Sequence, residues 1–358
     1  MVDLHEGFAA YLAHRWPDAS AIEVTAIERI YGGASRETYR VAVRCRRGGI
    51  AADLRWILRR DPASSLIETD RTTEFDAYTA FHGTAVPVPR PLFLETDGRW
   101  LDRPFFVMEE VVGAVSSSRL LGEKPYCDHL EAIGEQKWRI LGEIARTDPA
   151  AVGLLAKLEA PALDACWRRE LDYWEHVIDE DELTPQPIAR AAIRWLRRTP
   201  PPPARRLSVV HGDYRTGNFL FDATGRIRAI LDWEMCHLGD PLEDLAWALD
   251  PLWSWPDRDH PGKLIVRQQA LAIWQRASGI TLDRAALGWW EIFASVKGLA
   301  IWISSGREFA DGRNQDPIMV LASWFPTDIH DRVLVDRLRG RIDRNDPPAT
   351  RGSANDGD

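Results

Sequence analysis

Two carboxylates and a side-chain amide, set on a short β-rich island inside a helical region, constrain this chain more than any other feature. The island spans about residues 207–231. It carries Val209-Val210-His211-Gly212-Asp213-Tyr214-Arg215-Thr216-Gly217-Asn218, and Asp232 follows fourteen residues later, behind the apolar run Ile227 to Leu231. Asp213 and Asn218 stand five residues apart. Each residue type has its own use. A carboxylate beside a hydroxyl can take its proton. A neutral amide oxygen can ligate a hard cation without adding charge, and a second carboxylate can hold that cation against phosphate oxygens. The spacing suits magnesium-dependent phosphoryl transfer, provided the three side chains gather in one cavity.

Before the island the chain reads as a sheet. Leu4, Phe8, Tyr11 and Leu12 fall on one face of a short helix. Strand-like runs follow at about Ile22–Ile30, Glu37–Cys45 and Asp53–Arg60, and Tyr39, Val41 and Val43 alternate onto one side. A helix is expected over about Arg71–Phe81, an extended connector over Val86 to Pro91, and two further strands at Leu92–Glu95 and Phe105–Glu109. After Gly113 helical periodicity dominates, at about 129–147, 163–178, 186–197, 263–277 and 283–304. Pro200 to Pro203 read as a stiff spacer, and the Pro-, Gly-, Ser-, Asn- and Asp-rich tail from about Asn345 as disordered.

Composition narrows the partners. A chain of 358 residues with 45% hydrophobic and 28% charged residues reads as soluble and globular, in one large or two ordinary domains. The net charge of −9 argues against a nucleic-acid or anionic-membrane partner. No run approaches the roughly 18 apolar residues of a membrane span. Asp3 and Glu6 stand where a signal peptide would need an apolar stretch, so none is expected. Cys45, Cys127, Cys166 and Cys236 are widely spaced without a metal motif, and are expected as buried thiols of a cytoplasmic protein. Sixteen tryptophans, mostly beyond residue 130, suit a helical core, with a few left to line a pocket. No oligomeric state follows from these features.

His211-Gly212-Asp213 with Asn218, Asp232-Trp233-Glu234, and Gly239-Asp240-Pro241-Leu242-Glu243-Asp244-Leu245-Ala246 together resemble the aminoglycoside phosphotransferase and choline kinase superfamily. More narrowly, they are similar to the kinase-like domains that in some chains precede acyl-CoA dehydrogenases. The resemblance covers roughly residues 20–330. It implies an α+β, protein-kinase-like fold: a small β-sheet N-lobe over residues 1–110, a larger, mainly helical C-lobe over 111–345, and a tail over 346–358. It also implies an enzyme that uses ATP and Mg2+. Asp213 would then be the catalytic base, and Asn218 and Asp232 the metal ligands. Arg215 would face the γ-phosphate, the acceptor or solvent. His211 would brace the loop. Asp244 would bond the loop backbone, although an acid at a helix start is also stabilised by the helix dipole. Glu234, two residues past Asp232 on a strand-like path, would share its side.

Nucleotide contacts are expected in the first lobe. Gly33 and Ser35, in Gly32-Gly33-Ala34-Ser35, lie where a turn would cover phosphates, and where an ordinary hairpin would look the same. The third strand carries Leu58-Arg59-Arg60 in place of the usual lysine. Parity puts Arg59 on the face opposite Leu54, Trp56 and Leu58, and Arg60 competes with it. Glu74 is the expected helix partner of that cation, alongside Asp70 and Asp76. Resemblance alone assigns the Glu109 carbonyl and Val111 N–H to the adenine edge, with Met108 facing the base. The expected function is an O-phosphotransferase acting on a hydroxyl of a small molecule. The acidic run Asp179 to Glu182 would favour a cationic acceptor. The branch resemblance and Trp253, Trp255, Trp289, Trp290 and Trp302 would favour a hydroxyacyl-CoA or another apolar alcohol. The missing lysine leaves a nucleotide-binding pseudokinase with a regulatory role as the alternative.

Overall fold

In the computed structural model, residues 3–30, 37–61 and 71–345 are described, without the side chains of 340–345. Helix α1 (Leu4–Arg15) opens the chain. The Asp3 carboxylate caps it by accepting from the amides of His5 at 2.8 Å and Glu6 at 3.1 Å. Strands β1 (Ala19–Ile30), β2 (Glu37–Arg47) and β3 (Ile50–Arg60) form an antiparallel meander. Helix α2 (Arg71–Phe81) intervenes before β4 (Pro91–Glu95) and β5 (Phe105–Glu109), and the sheet order is β1-β2-β3-β5-β4.

Strand alternation divides this sheet between two cores. Tyr39, Val41, Val43 and Cys45 of β2 share a buried face with Trp56 and Leu58 of β3 and with Phe105 and Val107 of β5. Helix α1 closes that face with Phe8, Tyr11 and Leu12, and the Phe8 and Trp56 rings meet edge to face. Each large side chain so enclosed contributes about 1.5–3 kcal/mol of transfer free energy. The opposite face carries Ile57, Arg59, Phe106 and Met108. Phe106 and Met108 pack into the larger core together with Ala77, Tyr78 and Phe81 of α2.

The second part is mainly helical. The two-residue β6 (Ala114–Val115) leads through short 3-10 turns to α3 (Leu130–Arg146), α4 (Cys166–Asp181) and α5 (Pro187–Arg198). The island holds β7 (Ser208–Val210), β8 (Phe219–Asp222), β9 (Ile227–Ile230) and β10 (His237–Gly239); β7 pairs with β10, and β6, β8 and β9 form a second small sheet. Helices α6 (Pro241–Ala248), α7 (Arg267–Ser278), α8 (Arg284–Ala310) and α9 (Pro317–Asn345) complete the described chain. This is the expected two-lobed, protein-kinase-like α+β fold.

Two expectations change and one is untested. Helix α9 is not among the expected helices; Pro326 stands inside it, and packing along α8 carries the proline. Helix α8 is long and apolar enough to cross a membrane by length and composition, yet most of it is buried inside the fold. It reads as a core helix. The expected disordered tail beyond Asn345 lies outside the described residues.

Candidate active site

The loop after β7 is shaped by its own backbone demands. Gly212 has φ +85°, and a Cβ there would lie 2.5 Å from the Met235 carbonyl oxygen. Gly212→Ala is therefore expected to destabilise the fold by about 2 kcal/mol or more, read as a lower urea midpoint at unchanged m. The Asp244 carboxylate, projected by α6, accepts from the His211 amide at 2.6 Å and the Gly212 amide at 2.9 Å. Its contact is with the loop backbone, and the N-cap of α6 is Asp240 instead.

His211 is fully buried, and both ring nitrogens are engaged. Nε2 pairs with the Leu231 carbonyl at 2.9 Å, and Nδ1 accepts from the Asp213 amide at 3.1 Å. Burial pushes the imidazole below its ordinary pKa despite the nearby Asp244. The neutral tautomer satisfies both contacts, so His211 acts as a brace. Leu231 is gripped a second time, because its amide donates to the Asn218 carbonyl at 2.8 Å. These two bonds fasten the loop to the residue just before Asp232.

Asn218 donates its side-chain amide to the Asp213 carbonyl at 2.9 Å and to Asp213 Oδ2 at 2.7 Å. Its amide hydrogens are spent inward, and its oxygen is the atom left to ligate a cation. Asp213 also receives Arg215 Nε, at 3.2 Å on Oδ1 and 3.0 Å on Oδ2, and Trp247 Nε1 at 2.8 Å on Oδ1. The Arg215 guanidinium lies 5.5 Å from the Trp253 ring and feels both Asp213 and Asp232.

One face of α2 ties the lobes together at this point. Glu74, Tyr78 and Phe81 recur at one-turn spacing, and all three are buried. Glu74 accepts from Arg59, whose other terminal nitrogen donates to Asp232 Oδ1 at 2.9 Å. The Tyr78 hydroxyl accepts from the Asp232 amide at 3.0 Å. Phe81 stacks on Trp233 at 4.6 Å, and Trp233 lies 4.4 Å from the His211 ring. Burial pushes the Asp232 carboxyl up, but Arg59 outweighs it and holds the group below its ordinary range.

Asp232 and Asn218 offer a carboxylate and an amide oxygen, donor types that a hard cation such as Mg2+ takes. Asp213, Asp232, Glu74 and Glu234 also outnumber Arg59 and Arg215, so a divalent ion fits the charge. Arg59 Nε is buried and, among the described residues, has no hydrogen-bond partner.

Beneath the loop lies a second ionic cluster. Lys297 Nζ donates to the Gly212 carbonyl at 2.8 Å and to Glu243 Oε1 at 3.1 Å. Its ammonium sits 5.5 Å from the Trp174 ring and 5.2 Å from the Trp247 ring. Glu170, His237 and Glu243 bring ligand atoms within 4.8 Å of one another, but Lys297 and Arg169 already supply the positive charge. Burial opposes the His237 charge, yet Glu170 and Glu243 raise its pKa to about 9. Burial likewise opposes the Glu243 charge, and His237 and Lys297 lower its pKa to about 2.

His237 thus contributes stability that is complete below its ordinary 6.5 and is lost as pH rises through about 9. Glu243 contributes stability that is complete above its ordinary 4.5 and is lost as pH falls through about 2. His237→Gln is expected to flatten the decline in thermal midpoint between pH 6.5 and 9, measured by melts across that range.

The sequence model of the phosphotransferase enzyme family matches residues 26–284, more than half of the chain and, except for Lys297, the site just described. The chain belongs to that family. Among solved structures, a Ralstonia eutropha JMP134 protein provisionally named an aminoglycoside phosphotransferase is similar with a TM-score of 0.71 and 22% identity, over 93% of this chain and 98% of that one. A thermostable mutant of aminoglycoside phosphotransferase APH(4)-Ia in ternary complex with AMP-PNP and hygromycin B has a TM-score of 0.56 and 15% identity, over 92% and 98%. These likenesses show the fold. Acyl-CoA dehydrogenase family member 11 of Gallus gallus is 29% identical over 206 residues, 56% of this chain and 26% of that protein. Family member 10 of Mus musculus is 29% identical over 226 residues, 60% of this chain and 19% of that protein. The chain thus spans about a quarter or less of the length of these relatives.

Within this member of the phosphotransferase enzyme family, the expected site residues fall in two groups. Asp213, Arg215, Asn218, Asp232, Arg59, Glu74, His211 and Asp244 meet through the bonds described. Arg60 turns to the other face of β3, toward Glu37. Met108 is buried at the end of β5, Glu109 is exposed and Val111 half-buried beyond it. Gly33 and Ser35 lie outside the described residues, as does Asp70.

Several expectations are corrected. Asp232 adopts φ 69° and a 3-10 turn follows, so Glu234 does not lie on a strand-like path. Asp179 and Glu182 pair with Arg190, and Asp181 accepts from the Ser304 hydroxyl; these acids join α4, α5 and α8. Trp289 and Trp290 are buried in the core, whereas Trp253, Trp255 and Trp302 remain partly exposed. Cys127 is half-buried and the other three thiols are buried; all four are free. Tyr78, Trp247 and Lys297 were not anticipated. The i, i+4 spacing from Glu74 was the available signal for Tyr78.

Proposed function

We propose that this chain is a magnesium-dependent kinase that transfers the γ-phosphoryl group of ATP to a hydroxyl of a small molecule. The observation that carries the reading is the double clamp on Leu231, which fastens the loop of Asp213 and Asn218 to the residue before Asp232, while Arg59 reaches Asp232 from the other lobe. Asn218 and Asp232 would hold Mg2+, which supplies charge neutralisation at the phosphates when bound. Asp213 orients the acceptor hydroxyl and takes its proton late. The acceptor oxygen bonds to the γ-phosphorus as the β–γ bridging bond breaks, and ADP leaves with that electron pair. Arg59, fixed by Glu74, faces the α- and β-phosphates, and Arg215 is free to turn from Asp213 toward the γ-phosphate. Met108, Glu109 and Val111 would border the adenine; Gly33 and Ser35, outside the described residues, are assigned to the phosphates by resemblance alone. We divide the lobes at residues 110 and 111 and place the protein in the cytoplasm, in keeping with its four free thiols.

The acceptor we favour is a hydroxyacyl-CoA or another apolar alcohol. Trp253 stands against Arg215 beside Asp213, the relatives named above are acyl-CoA dehydrogenase family members, and Asp179 and Glu182 of the acidic run are paired with Arg190. The test is ADP release from MgATP with a pooled alcohol library. Acceptor-stimulated release supports the kinase. Nucleotide-induced thermal stabilisation without turnover supports the pseudokinase, for which the arginine on β3 speaks. Arg59→Ala is expected to raise KM for ATP by about tenfold or more, with Arg60→Ala near wild type; steady-state kinetics decide between the two arginines.

A further inference from the structure

Trp247 touches the proposed base without belonging to any expected motif. Its indole N–H donates to Asp213 Oδ1 at 2.8 Å. The other side-chain donors on this carboxylate are Arg215 and Asn218. Both have further tasks in the reading above, which this inference rests on: Arg215 is a third exposed and can leave for phosphate, and Asn218 shares a cation.

Trp247 cannot leave in the same way. It is 2% exposed, and its carbonyl accepts from Trp253 Nε1 at 2.8 Å. The Lys297 ammonium lies 5.2 Å from its ring centroid, held there by the Gly212 carbonyl and Glu243. A cation on an indole face draws electron density from the ring and strengthens the N–H as a donor. The same lysine thus steadies the loop backbone next to Asp213 and the ring that holds the Asp213 side chain.

We propose that Trp247 is a positioning residue for phosphoryl transfer: its indole N–H pins one carboxylate oxygen of Asp213, so that the other presents to the acceptor hydroxyl after Arg215 turns to phosphate. The indole acts through Asp213 and makes no contact with the reacting atoms.

The test replaces Trp247 in the full chain with β-(3-benzothienyl)alanine, which keeps the bicyclic shape and exchanges only the N–H for sulfur. The readout is ADP release from MgATP with the alcohol library as acceptor. The expected result is a kcat about tenfold or more lower, with KM for MgATP and the thermal midpoint unchanged. A kcat within about twofold of wild type overturns the inference, because packing alone would then account for the tryptophan. Trp247→Phe, which also changes packing, is expected to lose at least as much kcat. Asp213→Asn separates the two levels of the argument. If it abolishes turnover while the benzothienylalanine substitution does not, this inference alone fails. If Asp213→Asn keeps full kcat, Asp213 is not the base; if wild type releases no ADP, the kinase reading fails; in either case the inference falls with it.

Discussion

Asp213→Asn is expected to leave the protein folded and to lower kcat by about 10²- to 10⁴-fold, the range of a general base. The substitution is close to isosteric. The amide oxygen of the new side chain can still accept from Trp247 or Asn218, so the loop keeps its geometry. What it loses is the capacity to take a proton and the charge that holds Arg215. Nucleotide affinity should change little, because Arg59 and Glu74 are untouched. Steady-state kinetics with MgATP, together with calorimetric titration of MgADP, measure both sides. A kcat within about tenfold of wild type would remove Asp213 from the base role.

Asp232→Asn is the second large effect. Asparagine tolerates the left-handed backbone at this position, φ 69°, and the Tyr78 contact is made by the backbone amide. The fold is therefore expected to persist. The charge facing Arg59 is lost, and with it the carboxylate that would ligate the cation. Because Arg59 holds the Asp232 carboxyl below its ordinary range, the wild-type group is ionised at neutral pH and available to a cation. We expect kcat to fall by about 10²- to 10³-fold and half-saturating Mg2+ to rise. A magnesium titration of ADP release at fixed ATP reads both, and an unchanged magnesium requirement would exclude Asp232 from the metal site.

The fold was legible where residue alternation and periodicity act locally. Tyr39, Val41 and Val43 declared the buried face of β2, and the same parity separated Arg59 from Arg60, which meet Glu74 and Glu37 respectively. The helix over 71–81 and the strand at Phe105–Glu109 were found at their observed bounds. Legibility failed where packing overrides a local rule. Pro326 stands inside α9 because that helix is held along α8. Asp232 takes a left-handed conformation between the Tyr78 hydroxyl and the clamp on Leu231, and the strand parity that would have placed Glu234 ends there.

The order of chemical groups along the chain lay in the sequence itself: which residue types could accept a proton, ligate a cation or face a phosphate, and which of them share a strand or helix face. Spacing carries that information because backbone periodicity projects side chains at fixed angles. The tertiary structure alone decided the partners. That Asp244 holds the loop amides, that Tyr78 meets Asp232, and that Lys297 lies beneath both Gly212 and Trp247 are contacts between residues 32 to 154 positions apart. Such pairs are selected by burial: once enclosed, each polar group must find a partner within hydrogen-bond reach, and only the packed chain determines which group stands there.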